Sequence, residues 1–270
     1  DPFMLAGFRF LFCAFPIIFF VTKPNVSFRA IAGYGTLFGT GVWGMVNLGV
    51  YLGVSAGIAS LLLQFSAFFT LILGFAFLKE RISLSQLLGF SLSLAGLVCI
   101  LTLADGNISV AGVAFILLGA FCWSLTNIII KKTQPDNVFS FLVWSCLFAA
   151  FPLFALGYLV NGAEAFANID QALTGMAIFS IFFQIYPATL FSFWIWSSLM
   201  KKYPVSTVAP LSLLVPIFGL VGSVIIFDEQ INMGKILAFS LILSGLMIGL
   251  FGKKLWQFLS NLGKKPATQT

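Results

Sequence analysis

The 270-residue chain is 60% hydrophobic and 8% charged, with a mean hydropathy of +1.07 and a formal net charge of +6. A water-soluble fold could not cover its surface with so few polar residues, whereas lipid needs no polar cover, so the composition excludes a soluble globular protein and points to an integral membrane one. The chain has no histidine, which removes Ser-His and Cys-His nucleophile pairs and histidine-ligated metals, and it carries no Gly-rich phosphate loop; neither an enzyme nor a bound cofactor is expected.

Only helices and closed barrels satisfy their backbone in hydrocarbon, and the uninterrupted apolar runs here are too long for barrel strands of about 10 alternating residues, so the class is all-α. In chain order the runs predict nine spans: 3–22, 30–53, 56–78, 84–103, 110–130, 139–160, 174–200, 206–227 and 234–252. The connections are short and made of turn formers, as in Thr22-Lys23-Pro24-Asn25 and Gln134-Pro135-Asp136-Asn137. The longest, Asn161 to Ala172, is expected to hold a short interfacial helix. After the last span Lys253-Lys254-Leu255-Trp256 reads as a basic and aromatic interface anchor, followed by a disordered end. Cys13, Cys99, Cys122 and Cys146 all fall inside spans with no CxxC spacing and read as small apolar filler.

A repeat underlies this order. Gly57 to Leu103 recurs at Ser206 to Gly252 with a slide of 149: Phe90–Leu97 (FSLSLAGL) and Phe239–Leu246 (FSLILSGL) share six of eight residues, and Glu80 falls on Glu229. Leu11–Pro16 (LFCAFP) matches Leu147–Pro152 (LFAAFP) at five of six positions with a slide of 136. Span 1 therefore pairs with span 6, and spans 3 and 4 with spans 8 and 9, which leaves span 5 (Val110–Ile130) without a partner. The expectation is ten spans in two inverted sets of five, of which nine are present and the first helix is missing: a first repeat at 1–104, a second at 105–252 and a basic tail at 253–270.

The basic residues report topology rather than nucleic-acid binding. Lys23, Arg29, Lys79, Arg81, Lys131, Lys132, Lys201 and Lys202 lie in the first, third, fifth and seventh connections, and the tail adds four lysines, against Lys235 alone on the other side. The positive-inside rule places the tail and those connections in the cytoplasm.

Every acidic residue lies at a span end or in a connection, so these spans lack the carboxylate that proton-coupled pumps commonly use as a relay, a group the expected further helix could hold. Arg9 is the one charge inside a span, and an intramembrane charge is costly enough to be a functional candidate; snorkelling outward or pairing with Asp228 or Glu229 is the alternative. Gln64 and Gln184 lie roughly 12 and 15 Å into spans 3 and 7. Trp43, Asn47 and Tyr51 form an i, i+4, i+8 stripe on span 2, and Trp123 and Asn127 repeat it on span 5, either as binding groups or as glue between helices. Pro210 and Pro216 in span 8 free the carbonyls of Ser206 and Ser212, marking a broken helix that lines a cavity or a packing kink, with Ser212 on its small polar face.

Phe3–Phe10 (FMLAGFRF), Glu80-Arg81, Trp123-x-x-x-Asn127, Val208–Pro216 (VAPLSLLVP) and Asp228-Glu229 together resemble the EamA branch of the drug/metabolite transporter superfamily over nearly the whole chain. Within it, Ala56–Gln64 (AGIASLLLQ) and span 8 are similar to bacterial exporters of O-acetylserine and cysteine. The resemblance implies two inverted five-helix repeats, a multi-pass protein of the bacterial inner membrane, and export of amino acids or related small metabolites by alternating access. Expected partners are the substrate and the bilayer, with no nucleic acid, in a monomer or homodimer. Two other readings use the same spans: a ligand sensor or structural subunit that moves nothing, and a multidrug or quaternary-ammonium exporter, which would want a membrane carboxylate facing aromatics.

Overall fold

A computed structural model describes residues 1–78, 83–103, 109–166, 174–203, 225 and 233–262. Among them every regular element is helical and no strand forms. Among the described residues five helical stretches are long and apolar enough to cross a membrane: Pro2–Phe19, Ala56–Phe77, Val110–Thr133, Val138–Glu164 and Gly175–Lys202. Span 206–227, apart from Ile225, lies outside the described residues, as do Glu80, Arg81, Asp228 and Glu229.

The helices start where short polar side chains can take up orphan N–H groups. Helix α1 (Pro2–Ala14) is capped by Asp1, whose carboxylate accepts from the N–H of Phe3 and Met4 at 2.7 and 2.8 Å, and Pro2 occupies the first turn, where a missing N–H costs nothing. Ser27 caps α2 (Phe28–Thr36), which runs through a π-helical segment, Leu37–Gly44, into α3 (Met45–Tyr51). Ser55 caps α4 (Ala56–Leu63), followed by α5 (Phe65–Leu78) and α6 (Leu84–Leu103). Ser109, Asn137 and Thr174 cap α7 (Val110–Thr133), α8 (Val138–Asn161) and α9 (Gly175–Ile185). A second π segment, Tyr186–Phe191, joins α9 to α10 (Ser192–Lys202), and α11 (Met233–Leu262) closes the described chain.

Four boundaries differ from the sequence reading, each for a local reason. The first span ends its α-helix at Ala14, because Phe15 precedes Pro16 and is held extended at φ −99°, ψ 135°; a 3₁₀ turn, Ile17–Phe19, follows. Span 3 breaks at Gln64, where i→i−3 bonds from Gln64 N to Leu61 O and from Ala67 N to Gln64 O tighten the chain. The expected interfacial helix is a 3₁₀ turn, Gly162–Phe166. The last helix does not stop at residue 252 but continues through Lys253–Trp256 to Leu262.

Helix α8 is the post of the bundle. It packs on α1, where Gly7 lies against Phe154 and Gly157 against Met4 and Phe3, and on span 2, where Gly35 and Gly39 lie against Ser145 and Ala149. Fully buried Phe10, Phe141, Ile31 and Leu153 fill the space between. Elsewhere α6 and α11 run antiparallel in close contact: Ser85 meets Gly252, Gly89 meets Gly245 and Gly249, and Cys99 reaches the carbonyl of Gly234. At the centre of this crossing the hydroxyl of Ser93 donates to the carbonyl of Ile242 at 3.1 Å, and the two residues are 149 positions apart.

Candidate functional site

Arg9 leaves α1 into the protein and not toward water: it is 7% exposed. Its guanidinium carbon sits 4.4 Å from the centre of the Trp43 ring and 4.6 Å from that of Phe10. Stacking of this kind contributes up to about 2 kcal/mol when desolvated, but it leaves the N–H edge of the guanidinium unused. Nε and Nη2 of Arg9 have no hydrogen-bond partner among the described residues, and neither does Nε1 of the Trp43 ring it lies on. A cation held at such cost, with donors in hand, can receive a planar anion.

The geometry comes from the first π segment. Leu37–Gly44 carries Trp43, and within it Gly39 and Gly41 let the backbone approach α8 at Ala149 and α7 at Cys122, where a Cβ on Gly41 would lie 2.9 Å from the Cys122 sulfur. The wider π turn rotates side chains relative to an α-helix, which brings Trp43 over Arg9. Trp43 also meets the ring of Phe193 edge-on at 6.5 Å, and Phe193 in turn contacts Phe38 at 4.5 Å and Trp123 at 6.1 Å. The site is therefore a guanidinium at one end of an aromatic wall built from span 2, α7 and α10.

The candidates named from sequence divide by whether their donors are already used. Gln64, 1% exposed at the α4–α5 break, has an Nε2 with no partner among the described residues. Asn47 donates to the carbonyl of Pro2 at 3.1 Å and Asn127 to the hydroxyl of Thr70 at 3.2 Å, so both act here as ties between helices. Gln184 is half-buried and donates to Ser180 on its own helix at 3.2 Å, with Phe182 and Phe183 beside it exposed. Tyr51, the end of the span 2 stripe, is exposed. Ser212, Pro210 and Pro216 lie outside the described residues.

Sequence reasoning missed three features. Phe193 is one of 33 phenylalanines and nothing in the pattern singles it out. The π segments leave no simple periodic signal, yet the second begins at Tyr186, 149 positions after Leu37, the slide of the repeat. Thr40 and Thr189 are related by the same slide, and each has a buried hydroxyl with no partner among the described residues; Ser145, Trp144 and Trp196 likewise hold buried donors with no partner among them. A slide of 149 applied to span 2 would have aligned the two threonines.

The family profile of EamA-like transporters matches residues 1–102 and 110–251. The chain belongs to the EamA-like transporter family. Two relatives, from Escherichia coli K12 and Salmonella typhimurium LT2, are 34% identical over 268 residues and 35% identical over 257 residues; each is named a probable amino-acid metabolite efflux pump. The first alignment covers 97% of this chain and 89% of the relative, the second 93% and 86%. A crystal structure at 18% sequence identity superposes with a TM-score of 0.62 over 92% of this chain and 87% of its own, which shows a shared fold. In this EamA-like transporter the kinship covers both the Arg9–Trp43 centre and the α6–α11 crossing. It makes the chain a multi-pass membrane transporter of small molecules, and it leaves the roles of individual residues to geometry.

Proposed function

We propose that this transporter exports amino acids or closely related metabolites, of the kind of O-acetylserine and cysteine, from the cytoplasm across the inner membrane, with Arg9 receiving the substrate carboxylate. The carrying observation is the buried guanidinium whose Nε and Nη2 have no partner among the described residues, beside a Trp43 Nε1 that also has none among them. Gln64 supplies a second polar contact, since a primary amide both accepts from an ammonium and donates to a carboxylate. Trp43, Trp123 and Phe193 form the wall against which a small side chain rests.

The alternating-access part of the proposal rests on inverted repeats at 1–104 and 105–252. Three features support it: antiparallel packing of α6 on α11, contact between the equivalent residues Ser93 and Ile242 at its centre, and π segments starting at equivalent positions in spans 2 and 7. A pair of repeat-related helices meeting at equivalent residues is what a two-fold axis in the membrane plane produces. Rocking of one repeat against the other would need an interruption of regular α-helix, which the π segments supply, a geometry frequent at functional sites.

Gln64→Ala and Gln184→Ala are each expected to weaken apparent affinity roughly 3- to 100-fold, the range of one hydrogen bond to a neutral or charged partner. Gln64→Ala should be the larger, because the Gln184 amide must first leave Ser180. Efflux of radiolabelled amino acids from proteoliposomes, at matched expression, reads both; wild-type affinity in the two variants would reduce the glutamines to helix glue. Orientation has its own test. A cysteine placed at Asn168 should react with an impermeant maleimide from outside intact cells, and reaction only after permeabilisation would invert the assignment.

A further inference from the structure

At the lysine-rich end of the bundle two cavities adjoin. One, about 540 Å³, gathers the charged and polar side chains of Gln134, Asp136, Ser198, Lys201 and Lys202 beside Val138. The other, about 810 Å³, is apolar and is lined by Ile17, Phe139, Tyr186, Pro187, Leu190 and Phe191. Asn137 and Trp194 border both. The apolar groove follows the second π segment, where Pro187 has no N–H to donate and the widened turn stands Tyr186 and Phe191 out on the flank, both exposed. Trp194 packs edge-on against Phe139 at 6.2 Å and marks the boundary between the polar and apolar halves, the position tryptophan takes at a membrane interface.

The polar half has an excess of positive charge. Lys201 and Lys202 end α10, and Lys131 and Lys132 end α7. Lys131 is committed to the carbonyls of Met200 and Tyr203, and Lys201 donates to the carbonyl of Pro135. The only acid here among the described residues, Asp136, accepts from the backbone N–H of Asn137 and Asn25, and these bonds hold its carboxyl below the usual carboxylate range, so it stays ionised and occupied. Lys202 lies 5.4 Å over the ring of Tyr203, and no hydrogen bond or ion pair to a described residue engages it. Asn137 uses its side-chain carbonyl to cap α8, accepting from Ser140 N at 3.1 Å, which leaves its NH₂ as a donor.

We propose that these adjoining cavities form a binding site for one anionic phospholipid, its phosphodiester held by Lys202, Lys201, Ser198 and Asn137 and one acyl chain lying past Trp194 along the π segment of span 7. Charge selects the occupant: a zwitterionic headgroup brings its own cation to a basic pocket, whereas a net-negative one does not. The apolar groove selects it again, because a water-soluble phosphate has nothing to place there. The proposal concerns binding and does not depend on what the protein transports.

The test uses the full chain in phosphatidylcholine nanodiscs titrated with brominated phosphatidylglycerol or brominated phosphatidylcholine, reading tryptophan quenching as the difference between wild type and Trp194→Phe. Brominated phosphatidylglycerol should quench the Trp194 component at a lower mole fraction than brominated phosphatidylcholine. Lys202→Gln and Lys201→Gln should each raise the half-saturating fraction about fivefold, the effect of one lysine near an anionic surface. Lys23→Gln, a change of charge at the same end away from the pocket, should leave it unchanged. Equal quenching by the two lipids, or a Lys202→Gln protein that melts normally and binds as wild type does, would overturn the site. Complete competition by millimolar glycerol phosphate would also overturn it, by making the ligand a soluble phosphate.

Discussion

Arg9→Ala is expected to lower apparent affinity for a carboxylated substrate roughly 100-fold or more while the protein still reaches the membrane. A guanidinium and a carboxylate form two parallel charge-assisted hydrogen bonds, each contributing about 1.5–3 kcal/mol, in a site where water competes poorly. The buried Nε and Nη2 of Arg9 are available for that contact because Trp43 and Phe10 hold the flat face of the group and no described residue holds its edge. Folding should survive the change, since removing an intramembrane charge relieves a cost of about 2.5–3.5 kcal/mol on the insertion scale. Arg9→Lys should be intermediate, about tenfold impaired, because a point charge on a flexible stem can neither stack on Trp43 nor bind bidentately. The discriminating measurement is competition: the decarboxylated amine of a transported amino acid should compete poorly in wild type, and its disadvantage should vanish in Arg9→Ala. Equal competition by acid and amine in the wild-type protein would end the carboxylate assignment.

Gly245→Leu should have the largest structural effect. A Cβ at Gly245 would lie 2.6 Å from the backbone nitrogen of Ser93 and against the carbonyl of Gly89, and backbone atoms, unlike the tip of a side chain, cannot step aside. Helices that associate in lipid depend on such small residues, because there is no hydrophobic drive between apolar surfaces already in hydrocarbon. Overpacking costs typically 1–3 kcal/mol, which for a chain of this size lowers the melting temperature by roughly 2–12 °C. Ser93→Ala is the matched control: it deletes only the bond to Ile242, of the sort that averages about 0.6 kcal/mol within a membrane, and should change melting and efflux little. Normal melting of Gly245→Leu would mean that α6 and α11 are free to separate.

The sequence by itself determined the class and the order of elements. Hydrocarbon demands internally satisfied backbone and apolar surface, and both demands are written into composition and run length, so the helices at 84–103, 110–130, 139–160 and 174–200 could be placed to within a few residues. The cost of intramembrane charge made Arg9 stand out for the same reason.

Tertiary structure decided which polar groups are already used. Asn47 and Asn127 satisfy the same stripe pattern as Trp43 and Trp123, but a hydrogen bond to Pro2 or Thr70 depends on neighbours that are 45 and 57 residues away in the chain. Periodicity reports which face a residue occupies and says nothing of what stands opposite. The π segments, the Phe193 ring between Trp43 and Trp123, and the hydroxyls of Thr40 and Thr189, without a partner among the described residues, were hidden likewise, because an extra residue in a helical turn leaves composition unchanged while it turns every later side chain toward a different neighbour.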